Sequence, residues 1–321
     1  MDGMAEPRRH EKYDRLIYAC HALAPVRTVV AHPCDETSLR GAVEAAEAKI
    51  IKPVLVGPEA RIRALAASFG LDLTGLQLVD TPHSHASATK AVEIVRTGEV
   101  DALMKGSLHT DELMAGVVNK ETGIRTARRI SHVFIMDVPT YPKPLFITDA
   151  AVNIFPTLED KVDIVQNAIE LAQALGIKQP KVAILSAVET ITSKIPSTID
   201  AAALCKMADR DQIIGGLLDG PLALDNAIDR AAAAVKHIAS PVAGDADILL
   251  VPNLEAGNML AKELSFLANA DAAGIVLGAR VPIILTSRAD NVRTRMASCA
   301  VAALYAHARR VAAADIGKLA D

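Results

Sequence analysis

Four stretches place polar or charged residues directly after short apolar runs, and each suggests a chemistry. In LTSRAD, Ser287, Arg288 and Asp290 stand between the run Val281–Leu285 and a helical pattern from Asn291 to Ala313. A guanidinium beside a helix N-terminus suits a phosphate or carboxylate, a serine adds a hydroxyl donor, and an aspartate adds a base. Asp290 reads equally as a plain N-cap, although its third helical position is Arg293, which forms no capping box. In MKGSLHTDELM, Lys105, Gly106, Ser107 and Thr110 combine a cation, a close-approach glycine, hydroxyls and a helix start, which together make an anion site. The alternative is a strand–turn–helix junction capped by Thr110 or Asp111. The spacing is not that of a nucleotide-binding P-loop.

The third stretch, DGPLALDNA, has a constrained turn at Gly220–Pro221, and Asp225 and Asp229 four residues apart on one helical face. A divalent cation between them is conceivable, but a cap and a solvated face is the simpler reading. The fourth, VPNLEAGN, sets Asn253, Glu255, Gly257 and Asn258 at the start of a helix, where they suit an amide-bearing polar ligand or serve only as the cap. His83 and His85 form an HxH with no partner ligand nearby in sequence, His109 fits a helix-entry loop, and Cys34 has no local base. No GxSxG nucleophile elbow is present.

These residues need elements to position them. Short β-rich runs alternate with amphipathic stretches along most of the chain, which predicts βαβ units and largely parallel sheets with helices on both faces. Ser131–Met136 and Pro144–Thr148, joined by DVPTYPK, look like an antiparallel excursion. Ile213–Leu218 reads as a strand and Asn226–Ile238 as one helix. In open α/β sheets ligands bind beyond the carboxyl ends of strands, which makes these four strand ends the candidate places for a site.

At 321 residues the chain suggests two domains. A change is placed near residues 125–150, with the last helix returning to the first domain, giving domain I as 1–138 plus 286–321 and domain II as 139–285. Half the residues are apolar (51%) but only 3% are aromatic, so the core is aliphatic and base-stacking platforms are nearly absent. The net charge of −4 gives no broad basic field, so no nucleic-acid partner is expected. Neither a secretory signal nor a membrane-spanning run is visible. Four scattered cysteines imply reduced thiols and a cytoplasmic protein.

The blocks MKGSLHTDELM, SHVFIMDVP, FITDAAVNIFPTLEDK, DGPLALDNA, AGDADILLVPNLEAGNMLAKEL and VPIILTSRAD, in this order, resemble the phosphate acetyltransferase/phosphate butyryltransferase family, with DGPLALDNA and LTSRAD nearer the butyryl branch. The resemblance spans roughly Tyr13 to Arg309. It implies an α/β architecture like that of isocitrate/isopropylmalate dehydrogenases, with two domains around a cleft, usually as a homodimer. It implies the reaction acyl-CoA + phosphate = acyl phosphate + CoA on acetyl, butyryl or other short acyl groups, with CoA and phosphate as substrates and no resident cofactor or metal. Ser287 and Arg288 would line the cleft. The family's aspartate acting on the CoA thiol lies a turn further on, where this chain has Thr294, and Asp290 is its substitute. Lys105, Gly106, Ser107, Thr110, Asp149, Asn153, Gly220, Pro221, Asn253, Glu255, Gly257 and Asn258 make up the implied substrate-binding set. Ala150 replaces a cysteine common among the acetyltransferases, which disfavours a covalent acyl-enzyme. Two rivals are a metal- and NAD(P)-dependent oxidoreductase of the same architecture, using Asp225 and Asp229, and a non-catalytic acyl-CoA-binding protein.

Overall fold

The computed structural model describes residues 11–286 and 290–320. In chain order its first elements are α1 (Glu11–Cys20), β1 (Val26–Ala31), α2 (Glu36–Glu47), β2 (Ile51–Gly57), α3 (Glu59–Phe69), β3 (Gln77–Asp80), α4 (Ser84–Arg96), β4 (Ala102–Lys105) and α5 (Thr110–Val118). The antiparallel pair β5 (Ser131–Asp137) and β6 (Leu145–Thr148) follows. Then come α6 (Leu158–Ala174), β7 (Lys181–Leu185), α7 (Pro196–Ala208), β8 (Leu217–Leu222), α8 (Leu224–Ile228), α9 (Arg230–Val235), β9 (Ile248–Leu250) and α10 (Leu254–Phe266). The last elements are β10 (Asp271–Leu277), β11 (Ile283–Ile284) and α11 (Val292–Ala320).

Local chemistry sets many boundaries. Asp35 caps α2 by accepting from the Ser38 N–H at 2.7 Å, and Thr157 caps α6 with Asp160 closing back on it. Gly70 ends α3 at φ +63, which a glycine adopts without strain. Two expectations shift. The strand read at Ile213–Leu218 starts only at Leu217, because Gly215 sits at φ +86. The helix read at Asn226–Ile238 is two short helices, because Asp229 is extended (φ −125, ψ 119) and caps α9 through Ala232 N–H.

The described strands form one 11-stranded sheet in the order β3-β2-β1-β4-β11-β10-β5-β6-β9-β7-β8. β3, β2, β1, β4 and β11 are mutually parallel; β10 is antiparallel to both its neighbours, and β5 to β6. β6, β9, β7 and β8 are parallel to one another. The two parallel halves therefore run in opposite directions, and their carboxyl ends lie on opposite edges of the sheet. A single crevice beyond all four polar strand ends is not what this topology builds.

One face of the sheet is covered by a continuous apolar cluster beneath α1, α2, α3, α6, α7 and α11. On the other face the core divides in two, one cluster under α4 and α5, the other under α8 and α10. His132 and Phe134 of β5 and Gly274 of β10 occupy the interval between them.

Candidate active site

At the end of β4, Lys105 is only 3% exposed, and its Nζ lies 3.4 Å from the Gly106 carbonyl and 3.5 Å from the Thr286 carbonyl. A Cβ on Gly106 would stand 2.4 Å from the Ala31 carbonyl oxygen, so only glycine lets this turn press against the end of β1. The Gly106 and Ser107 N–H groups donate to Ala31 and His32, and the Ser107 hydroxyl donates to His32 as well. These donors are spent on the fold, and Lys105 contributes a buried positive charge already held by two carbonyls. Thr110 opens α5, whose N-cap is His109 rather than Thr110 or Asp111.

Lys105 reaches across to the strand end that leads into LTSRAD. Ser287 and Arg288 lie outside the described residues. Gly274 marks how close that strand end comes to β10: a Cβ there would be 2.5 Å from the Leu285 carbonyl and 3.2 Å from His132 Nε2. Thr286, also buried, accepts a hydrogen bond on Oγ1 from Arg295 Nη1 at 2.7 Å. The helix cap expected of Asp290 falls instead to Asn291, whose Oδ1 accepts from the Thr294 N–H at 2.8 Å. Burial lowers the pKa of Arg295, and the nearby charges of Asp35 and Asp290 work against that.

A second group forms at the carboxyl ends of β6 and β9. Asp149, buried, accepts from the N–H groups of His132, Ala151, Val152 and Asn153 and from Asn153 Nδ2 at 2.6 Å. Asn153 also donates to Ile130 O and accepts from Arg129 Nε. Asn253 caps α10 through Ala256 N–H, and Glu255 lies exposed in the first turn. Gly257 packs on Asp149 and Ala150, where a Cβ would come within 2.8 Å of Asp149 O, while Asn258 Nδ2 donates to Ala150 O at 3.3 Å. Asp149, Asn153, Gly257 and Asn258 are thus brought together, largely by bonds to one another and to the turn they shape.

Gly220 and Pro221 do not join the Lys105 group. They lie on β8, seven strand spacings from β4 in the sheet order, about 34 Å at ~4.8 Å per strand. Asp225 lies in α8 and Asp229 at the extended break between α8 and α9, and no cluster of metal-binding side chains occurs among the described residues. His83 caps α4 through the Ala86 N–H, and His85 faces Glu112 at 3.4 Å. A cavity of about 290 Å³ opens on the continuous-core face, between α1, α6 and α11, away from both groups.

The comparisons with known proteins decide between the rival readings. A family model described as phosphate acetyl/butaryl transferase matches residues 81–303. The chain belongs to that family. A phosphate acetyltransferase of Rhizobium meliloti is 68% identical over 306 residues, covering 95% of this chain and 97% of that protein. A phosphate butyryltransferase of Clostridium acetobutylicum is 42% identical over 296 residues, with 92% and 98% covered. The crystal structure of a branched-chain phosphotransacylase from Enterococcus faecalis V583 superposes with a TM-score of 0.75 at 30% identity, covering 88% of this chain and 99% of that one. The chain is an acyltransferase.

In this phosphotransacylase family member the cysteines are poor nucleophiles. Burial pushes the Cys34 thiol up to about 11, against the pull of Arg61, and Cys205 and Cys299 up to about 12. A thiolate at neutral pH is disfavoured at all three. Three residues beside the site escaped the sequence reading: His132, Arg295 and Gly274. His132 sits inside the quoted block SHVFIMDVP, where a histidine within an apolar strand was the available signal. Arg295 carried none, being one of several arginines on a helix.

Proposed function

We propose that this acyltransferase converts acyl-CoA and phosphate into acyl phosphate and CoA by direct transfer in a ternary complex, with a short acyl group. The observation that carries the site assignment is the buried Lys105 ammonium beside the Thr286 carbonyl, one residue before Ser287 and Arg288. A cation at that depth favours a small anion over bulk water. Lys105 and Arg288 hold phosphate in line with the thioester carbonyl. A phosphate oxygen attacks that carbon, and Ser287 donates to the oxygen that gains charge in the tetrahedral transition state. The C–S bond then breaks and CoA leaves as a thiolate, which takes up a proton. In the reverse direction Asp290 raises the thiolate fraction of a thiol whose pKa is about 8.5 if it behaves like cysteine. Ala150 supplies no thiol for a covalent intermediate.

We place the two lobes at 1–138 plus 286–321 and 139–285, and take Asp149, Asn153, Asn253, Glu255, Gly257 and Asn258 as the far wall of the cleft. Gly220 and Pro221 stay in the substrate-binding set only if that cleft reaches the β8 edge. A cytoplasmic homodimer is the working unit in this reading. Exposed Ile154, Phe155 and Met259 offer it an apolar surface, and gel filtration at enzyme concentration tests it.

The experiment uses loss of thioester absorbance and trapping of released CoA by a thiol reagent. Ser287→Ala is expected to lower kcat by about 10²–10³ with a modest change in the KM for phosphate. Arg288→Ala is expected to raise that KM. Near-wild-type kinetics in both would overturn the assignment. A series from acetyl- to octanoyl-CoA then fixes the chain length.

A further inference from the structure

The cavity of about 290 Å³ on the continuous-core face is walled by apolar side chains, among them Leu16 of α1, Ile135 of β5, Phe146 of β6, Ile177 after α6 and Leu304 of α11. Its volume is about twice the roughly 150 Å³ of an engineered cavity that takes benzene, so a molecule of roughly ten non-hydrogen atoms fits it. Water against such walls is poorly held, and an apolar body that displaces it gains affinity. The charged groups around the cavity are matched within the protein. Lys12 Nζ donates to Asp137 Oδ1 at 2.8 Å, to Val138 O at 3.0 Å and to Tyr141 O at 2.8 Å, which engages all of its protons. Asp271 accepts from Arg293 Nε at 3.1 Å, and the Arg293 guanidinium lies 4.0 Å over the Tyr13 ring. Arg15 is exposed and donates from Nε to the Glu11 carbonyl. Asp137 itself lines the cavity, and its Oδ2 is buried with no hydrogen-bond partner among the described residues. A carboxylate oxygen in that position is costly unless something donates to it.

We propose that this cavity is a second small-molecule site, which takes a neutral molecule with an apolar body and an N–H or O–H donor. The body fills the space between α1, α6 and α11, and the donor bonds Asp137 Oδ2. The inference is independent of the transacylation reading, since none of the described residues assigned to that reaction lines the cavity. Neutrality follows from the pairing. Lys12 and Asp137 offset one another, as do Arg293 and Asp271, so a charge on the ligand would leave water with no opposite charge to meet it. The need for a donor follows from Lys12 and Asp137 together: the ammonium protons are engaged, while an acceptor beside them is open. A carboxylate would be repelled by Asp137, and a bare carbonyl would leave Oδ2 unpaired.

The full-length chain is titrated by calorimetry with indole, which offers an N–H donor on an apolar ring, and with 1-methylindole, which keeps the ring and loses the donor. Indole is expected to bind saturably at one site per chain, and 1-methylindole roughly tenfold or more weakly, as for loss of a hydrogen bond to a charged group. Ala19 is exposed and lines the cavity, so Ala19→Phe fills space there without entering the core. It is expected to abolish saturable indole binding and to leave transacylation turnover unchanged. Asp137→Asn keeps an oxygen for Lys12, which turns the amide N–H₂ toward the cavity, and is expected to remove the preference for indole over 1-methylindole. No saturable indole binding to the wild type, equal affinity for the two probes, or full-strength indole binding in Ala19→Phe each overturns the proposal. Tighter binding of indole-3-acetate than of indole would give the site to Arg15 instead of Asp137, and overturns it too. Saturating acyl-CoA and phosphate are expected to leave indole affinity unchanged, and displacement by them would make the cavity part of the substrate site and overturn its standing as a second one. If Asp137→Asn does not fold, the two probes on the wild type and Ala19→Phe decide the outcome.

Discussion

At His132, burial and a neighbouring charge pull in opposite directions. The ring is wholly enclosed, which pushes its pKa down to about 4, while the Asp149 carboxylate pulls it back up. Neither ring nitrogen has a well-formed hydrogen bond among the described residues, and the nearby Leu285 main chain adds only a smaller pull toward the protonated ring, so burial wins. The folded ring is neutral at pH 7, whereas in the unfolded chain it takes a proton near pH 6.5. Between about pH 6.5 and 4 the unfolded state therefore binds more protons, and stability falls as the pH falls. The penalty is absent above about pH 6.5 and reaches on the order of 3 kcal/mol by pH 4. Urea unfolding at pH 7 and pH 5 is expected to show a larger drop for the wild type than for His132→Gln. Equal drops would mean that the ring does not titrate in this window.

Among the elements, the end of β11 depends most on its neighbours. It has two paired residues and gains its position from β4 on one side, β10 on the other, and Arg295 of α11. Gly274 is what allows the approach from β10, since the atom a Cβ would strike is the main-chain oxygen of Leu285, which has no rotamer to move. Gly274→Ala is expected to destabilise the protein by about 1–3 kcal/mol through overpacking and to lower kcat by about 10–10². Thermal melts with steady-state kinetics check both. Wild-type turnover in a folded Gly274→Ala protein would show that the end of β11 is not critical to the reaction.

Across the whole molecule, the reversal of direction at β10 and β5 separates the carboxyl edges of the two halves, and the core on one face divides where those strands cross it. In the proposed reading, that interval receives the ligand that touches both halves. A saturating substrate pair binding only the folded protein is expected to stabilise it by about 2.7 kcal/mol at a hundredfold excess over Kd, which should appear as a rise in Tm with acyl-CoA plus phosphate. The reaction as proposed assigns no step to a metal ion, so turnover is expected to be unchanged after dialysis against EDTA. Loss of activity there, restored by Mg²⁺ or Mn²⁺, would count against the mechanism.

The sequence by itself determined the alternation of strands and helices, the antiparallel β5–β6 turn and the family, since apolar periodicity and turn residues are local and the motif order is specific. It also marked Lys105 as a residue placed at a strand end. Tertiary structure alone decided the rest. The direction of each half of the sheet depends on long-range pairing, and that pairing put Gly220 and Pro221 far from Lys105. Whether Gly106 and Ser107 can hold an anion depended on Ala31 and His32, more than seventy residues away in sequence. Asn291 in place of Asp290 as the cap, and Arg295 beneath Thr286, were equally invisible. A guanidinium on a helix surface and one buried against a strand end have the same sequence signature, and only packing distinguishes them.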